Sequence, residues 1–225
     1  MQSTGSTVEV KYWTAFPSGV NGDAQKKLVD DFHAAQSDVK INMQTQASYE
    51  DLAAALTAAL QTGDEPHLVV LSDVWWFRFY LAEALADLNP LLKAANIDTA
   101  DYVQSLYTEY TRNGGQYAAP FARSTPLLYY NQDALDAANV DASSLATWDG
   151  IAEVAPKLTG GKTKYAFGFG NAASYGAWVL QGAVWAFGGH YSTPDFTITL
   201  ADAPAVATGE FMRKLVSDGY GISTE

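Results

Sequence analysis

An apolar run that stops abruptly constrains this chain more than any other feature. The segment "LVVLS" (68–72) reads as a buried strand, and it gives way at once to Asp73, Trp75 and Trp76. Consecutive apolar residues of this length suit a strand covered on both faces, as in a parallel sheet flanked by helices. The preceding segments agree. In "TVEVKYW" (7–13), Val8, Val10 and Tyr12 fall on one side; residues 22–36 carry Leu28, Val29 and Phe32 at helical spacing; "VKINM" (39–43) alternates again. In "SYEDLAAALTAALQTG", Ser48 is placed to cap a helix with Asp51 as its capping-box partner. Leu52, Leu56 and Leu60 form its apolar stripe, and Gly63 is the expected stop. Strand, helix, strand, helix, strand is the order of an α/β layer with a mostly parallel sheet. Such sheets place ligands at the carboxyl ends of their strands. Ser72 and Asp73 are delivered to that edge, and Tyr49 stands at a helix N-terminus beside it.

Further along, "NPL" (89–91) is expected to break the helix after Trp76, a polar helix to lie around 101–111, and "NGG" (113–115) to turn. Pro120 and Pro126 stiffen "QYAAPFARSTPLLYYN" into an extended crossing between two lobes. Lobe 1 is therefore expected over 1–122, and the crossover with the start of a second α/β lobe over 123–225. In the second lobe, Asn131 precedes a helix and "TWD" (147–149) caps another, which Pro156 should kink. "YAFGF" (165–169) reads as a strand. "SYGAWVLQGAVWAFGG" reads as a helix capped by Ser174, with Trp185 on its buried side. "TITL" (197–200) reads as a strand, and a last helix runs through Phe211, Met212 and Leu215. "GISTE" reads as a stop without a closing element.

Composition narrows the function classes. Thirteen basic against 25 acidic residues give a formal charge of −12, which argues against nucleic acid or an anionic membrane as the main partner. It leaves room for a small anion held by backbone N–H groups, hydroxyls or one arginine. There are no cysteines, so disulfides, thiolate metal sites and a thiol nucleophile are excluded. His33, His67 and His190 lack ligand spacing and read as structural or surface residues, and neither a metal nor a cofactor is expected. No apolar stretch approaches the ~20 residues that span a bilayer. "MQSTG" reads as a start just behind a removed leader.

Asp73 either caps a helix beginning near Val74 or accepts hydrogen bonds from ligand hydroxyls; spacing alone favours the cap, and its two oxygens allow both. Adjacent helical residues point about 100° apart, so at most one of Trp75 and Trp76 can face a ligand. Tyr175 and Trp178 share a helix face, as a platform for a sugar or a quaternary ammonium group or as core. Ser124 and Thr125 offer hydroxyls at the crossing, or simply turn chemistry before a proline. A pair such as Asp73 with Glu50 can be drawn for glycoside hydrolysis, but acid-rich chains always allow such a drawing. No catalytic residues are assigned.

The segment "PFARSTPLLYYNQDAL" closely resembles the crossover of extracytoplasmic solute-binding proteins that feed ATP-driven importers. "SYEDLAAALTAALQTGDEPHLVVLSDVWWFRFYL" is similar to the subgroup that binds sn-glycerol-3-phosphate and glycerophosphodiesters such as glycerophosphocholine, and "TWDGIAEVAPKL" is a looser match. The resemblance implies a two-lobed, periplasmic-binding-protein-like α/β fold that closes around its ligand by a hinge near the crossover. Its C-terminal side would be incomplete here, because the family's chain is about twice as long. It also implies site roles. Tyr49 and Asp73 match residues holding glycerol hydroxyls, Ser124 with its neighbour Thr125 matches a crossover contact, and Trp178 matches an aromatic under the head group. Tyr175 falls where the subgroup varies. The arginine that clamps the phosphate would lie beyond Glu225.

The expected partners are a glycerophosphodiester or a sugar and a membrane permease, with an extracytoplasmic lipoprotein as the native form. A carbohydrate-active enzyme is the rival from another class. The missing half or a second chain would cover exposed apolar edges, with a domain-swapped dimer as one form.

Overall fold

A computed structural model describes residues 7–170 and 177–224. The chain divides into two compact units, Met1–Arg123 and Ser124–Glu225.

The first unit is built on strands β1 (Val8–Thr14), β2 (Val39–Thr45) and β3 (Leu68–Val69), all parallel in the order β2-β1-β3. Val8 pairs with Val39 and Thr14 with Thr45, while Tyr12 and Trp13 pair with Leu68 and Val69. The parallel register brings all three carboxyl ends to one edge. Strand β3 is shorter than the apolar run that announced it, because only its first residues find a partner on β1.

Helix α1 (Gly19–Ala35) connects β1 to β2, and α2 (Tyr49–Thr62) connects β2 to β3. Helix α2 forms as its caps dictate. The Ser48 hydroxyl accepts from the Asp51 N–H at 3.0 Å and donates to the Asp51 carboxylate at 2.9 Å. Gly63 ends the helix at φ 70°. Leu52, Ala53, Leu56 and Ala59 are buried from this helix in a core shared with Trp13, Ala15 and Phe79.

Helix α1 turns a different face inward from the one its leucine and phenylalanine suggested. Gly22 and Gln25 are buried, whereas Leu28 and Phe32 are 60% and 40% exposed. Two contacts fix the rotation. A Cβ on Gly22 would lie 2.8 Å from the Phe16 carbonyl oxygen, so the helix approaches the loop before it at its glycine. The Tyr12 hydroxyl donates to Gln25 Oε1 at 2.6 Å. His33 and His67 are structural, their ring nitrogens accepting from the Ile41 and Lys11 N–H groups.

Helix α3 (Trp76–Leu81) is followed by α4 (Asn89–Ala94). Asn89-Pro90 opens that helix rather than merely ending the previous one, since proline is tolerated in a first turn. The helix expected around 101–111 is a 3₁₀ turn (Thr99–Asp101) and a short α5 (Gln104–Thr108). A hairpin of β4 (Thr111–Arg112) and β5 (Gly115–Gln116) turns at Asn113-Gly114.

Residues 117–131 form no helix or strand, and Phe121, Leu127, Leu128, Tyr129 and Tyr130 along them are all exposed. The second unit then contains α6 (Gln132–Ala137), α7 (Trp148–Leu158), β6 (Phe167–Gly170), α8 (Ala177–Ala186), α9 (Ala203–Ser217) and β7 (Gly221–Thr224). Asn131 and Thr147 cap α6 and α7 through their side chains. Helix α7 runs on past Pro156 to Leu158 and buries Ile151, Val154 and Ala155. "GIST" closes the unit as β7, parallel to β6 with Phe167 paired to Gly221. "TITL" is not a strand; Ile198 makes a single bridge to Ser192. Trp185 is 54% exposed, while Ala183 and Val184 of α8 are buried. The expected Ser174 cap lies outside the described residues.

Candidate functional site

In the first unit the candidate site is the carboxyl edge of the sheet. Tyr49 opens α2 just past β2, and its ring meets Phe16 edge-on with centroids 5.8 Å apart. Asp73 stands in the turn between β3 and α3. It does not cap that helix: the N–H groups of Trp75 and Trp76 bond the Ser72 carbonyl at 3.0 and 3.2 Å. The Ser72 hydroxyl instead donates to Asp73 Oδ1 at 3.0 Å, and Arg123 Nη1 donates to Oδ2 at 2.7 Å. The Asp73 side chain is 19% exposed and that of Arg123 33%.

The same guanidinium nitrogen lies 3.6 Å from Glu109 Oε1. Burial raises the Glu109 carboxyl above its ordinary value and outweighs the opposing pull of Arg123. Burial, with the Glu109 charge second, likewise raises the Tyr110 phenol. Asp73 is thus joined to an arginine and a second acid that sequence reasoning did not single out, and not to Glu50. Arg123 lies in "PFARSTP", where nothing local to it points fifty residues back.

The tryptophans divide as adjacent helical positions must. Trp76 is buried at 4% exposure, edge-on to Tyr110 at 5.3 Å, with the Arg112 guanidinium 5.2 Å above its ring. Trp75 is half-buried against the core containing Leu52 and Phe79, under Arg78 at 5.9 Å. Buried Trp76 is closed to a ligand, and Trp75 is the more exposed of the two.

The second unit holds a cavity of about 990 Å³, lined among others by Tyr129, Trp148, Phe169, Trp178 and Phe187. Trp178 sits in the first turn of α8. Gly182 and Ala186 follow at intervals of four and line the same cavity. Their small side chains leave room beside the indole; nothing lies within 4 Å of a Cβ built on Gly182. Trp148 meets Phe211 and Phe167, the latter also lining the cavity, each edge-on at 5.9 Å. Ser124 and Thr125 are exposed residues at the start of this unit. Tyr175 lies outside the described residues. Among the described residues, no helix is long and apolar enough to cross a membrane.

The pattern of the bacterial extracellular solute-binding proteins matches residues 27–225. The chain belongs to that family. It is 29% identical over 176 residues to the sn-glycerol-3-phosphate-binding periplasmic protein UgpB of Escherichia coli K12, a match covering 75% of this chain and 40% of that one. The crystal structure of UgpB from Mycobacterium tuberculosis in complex with glycerophosphocholine is similar at a TM-score of 0.86 and 35% identity. That likeness covers 98% of this chain and 56% of the other. A substrate-binding protein from Listeria monocytogenes in complex with cycloalternan shares the fold at a TM-score of 0.74 and 21% identity. The family member described here therefore spans about two fifths of the curated relative's length, and its α/β fold is that of the matched part of these binding proteins.

Proposed function

We propose that this chain is part of an extracytoplasmic solute-binding protein that captures a glycerophosphodiester, glycerophosphocholine or glycerol-3-phosphate, and hands it to the permease of an ATP-driven importer. The observation that carries this is the 35% identity, sustained over 98% of the chain, to a binding protein solved with glycerophosphocholine. In this reading, residues 1–122 are the first lobe and 123–225 the crossover with the start of the second. Tyr49 and Asp73 take the glycerol hydroxyls, since an ionised carboxylate is an acceptor-only group suited to a diol. Ser124 and Thr125 donate from the crossover. Trp178, with Tyr175 nearby in sequence, lies under the head group, where a choline ammonium over a desolvated ring gains ~1–2 kcal/mol. The protein is exported and held at the membrane as a lipoprotein. No bond is made or broken.

A sugar is the second ligand class, favoured by the aromatic lining of the cavity around Trp148 and Trp178. Titration calorimetry with glycerophosphocholine, glycerol-3-phosphate and maltose decides between them, in this chain and in any longer polypeptide containing it. Heat only with the glyceryl ligands supports the proposal, and heat only with maltose replaces it. Ligand recovered chemically altered after long incubation would instead establish an enzyme.

A further inference from the structure

We infer that Arg123 sets ligand selectivity by compensating the charge of Asp73, so that a carboxylate able to hold glycerol hydroxyls tolerates the phosphate on the same glycerol. The inference rests on the reading of Asp73 as the hydroxyl acceptor.

Glycerol is only three carbons long. A carboxylate bonded to its free hydroxyls is therefore held within a few ångströms of whatever is esterified to the remaining one. Between two anions at such a distance the repulsion is large in a partly desolvated cleft. The Asp73 side chain is 19% exposed, so water screens it only in part. Arg123 meets it on Oδ2 at 2.7 Å, while the Ser72 hydroxyl uses only one lone pair of Oδ1. The pair is electrically neutral, yet Oδ1 still accepts a hydrogen bond.

The remaining charges around it fit this role. Glu109 lies 3.6 Å from the same nitrogen, against 2.7 Å for Asp73, so the guanidinium is held chiefly by Asp73. Arg112 is engaged elsewhere, donating to the carbonyl oxygens of Glu109 and Thr111 at 3.2 and 2.8 Å. Among the described residues, Arg123 is the cation paired with Asp73.

The test is titration calorimetry at pH 8 on wild type, Arg123→Gln, Arg123→Lys and Asp73→Ala. It uses this chain and any longer polypeptide containing it. The ligands are glycerol-3-phosphate, a dianion; glycerophosphocholine, whose single phosphate charge is offset by its ammonium; and glucosylglycerol, which is neutral. Arg123→Gln is expected to weaken glycerol-3-phosphate about tenfold, glycerophosphocholine about threefold and the neutral ligand less than about twofold. Arg123→Lys should restore most of each loss. An equal loss for all three ligands would make Arg123 a structural prop and overturn the inference. So would unchanged affinities in Arg123→Gln while Asp73→Ala abolishes binding. If Asp73→Ala also changes nothing, the site assignment has failed and the inference with it.

Discussion

Arg123 Nη1 donates to Asp73 Oδ2 at 2.7 Å across a sequence separation of 50 residues, tying the end of the first unit to the carboxyl edge of its sheet. With side chains 33% and 19% exposed, this pair is screened only in part. A double-mutant cycle with Arg123→Gln and Asp73→Asn should give a coupling of about 1 kcal/mol in urea unfolding, falling in 1 M salt. A coupling near zero at low salt would show that the pair does not hold the edge together.

Glu109 provides a pH signature. Its carboxyl is raised in the folded state, mainly by burial, against the pull of Arg123 and with Asp73 adding to the rise. Folding therefore favours its neutral form. The stability it contributes is fully present below the unfolded carboxyl pKa and is lost as pH rises through the folded one. Glu109→Gln should accordingly gain stability relative to wild type between pH 4 and pH 7, read from urea midpoints at each pH. A variant that loses ground over that interval would mean that the ion pair with Arg123 outweighs burial.

The cavity beside Trp178 permits a substitution that separates binding from folding. Gly182→Leu on α8 places a side chain where a built Cβ meets nothing within 4 Å, and leucine is the better helix former by somewhat under ~1 kcal/mol. Thermal stability should hold or rise while affinity for glycerophosphocholine falls at least about tenfold. Unchanged affinity would remove this cavity from the site.

Leu127 and Tyr129 are 70% and 87% exposed on a segment that makes no helix or strand. Apolar surface of this kind draws a partner. Light scattering on the 225-residue chain should show self-association that grows with concentration, and Leu127→Ser with Tyr129→Ser should suppress it. A clean monomer at high concentration would contradict this.

The alternating strands β1 and β2 and the capped helix α2 were legible because their determinants are local: a period of two, Ser48 with Asp51, and Gly63. Where the determinant was distant, the pattern misled. "TITL" alternates well but finds only a single bridge among the described residues, whereas the unpromising "GIST" becomes β7 because β6 lies ready to pair with it. The rotation of α1 follows from Gly22 meeting the Phe16 carbonyl, which no hydrophobic count of Leu28 and Phe32 contains. At the site, the position of Asp73 at a strand's end was readable, but its ion pair was not. The chemistry of Arg123 becomes meaningful only once the fold brings residue 123 to residue 73.

In the proposed function Asp73 holds the glycerol and Trp178 the choline. Calorimetric titration of Asp73→Ala and Trp178→Ala with glycerophosphocholine and glycerol-3-phosphate tests it most directly. Asp73→Ala should lose affinity for both ligands. Trp178→Ala should lose roughly 5- to 30-fold for glycerophosphocholine alone, the equivalent of ~1–2 kcal/mol. Wild-type affinity of Asp73→Ala for both ligands would mean that Asp73 does not hold the glycerol.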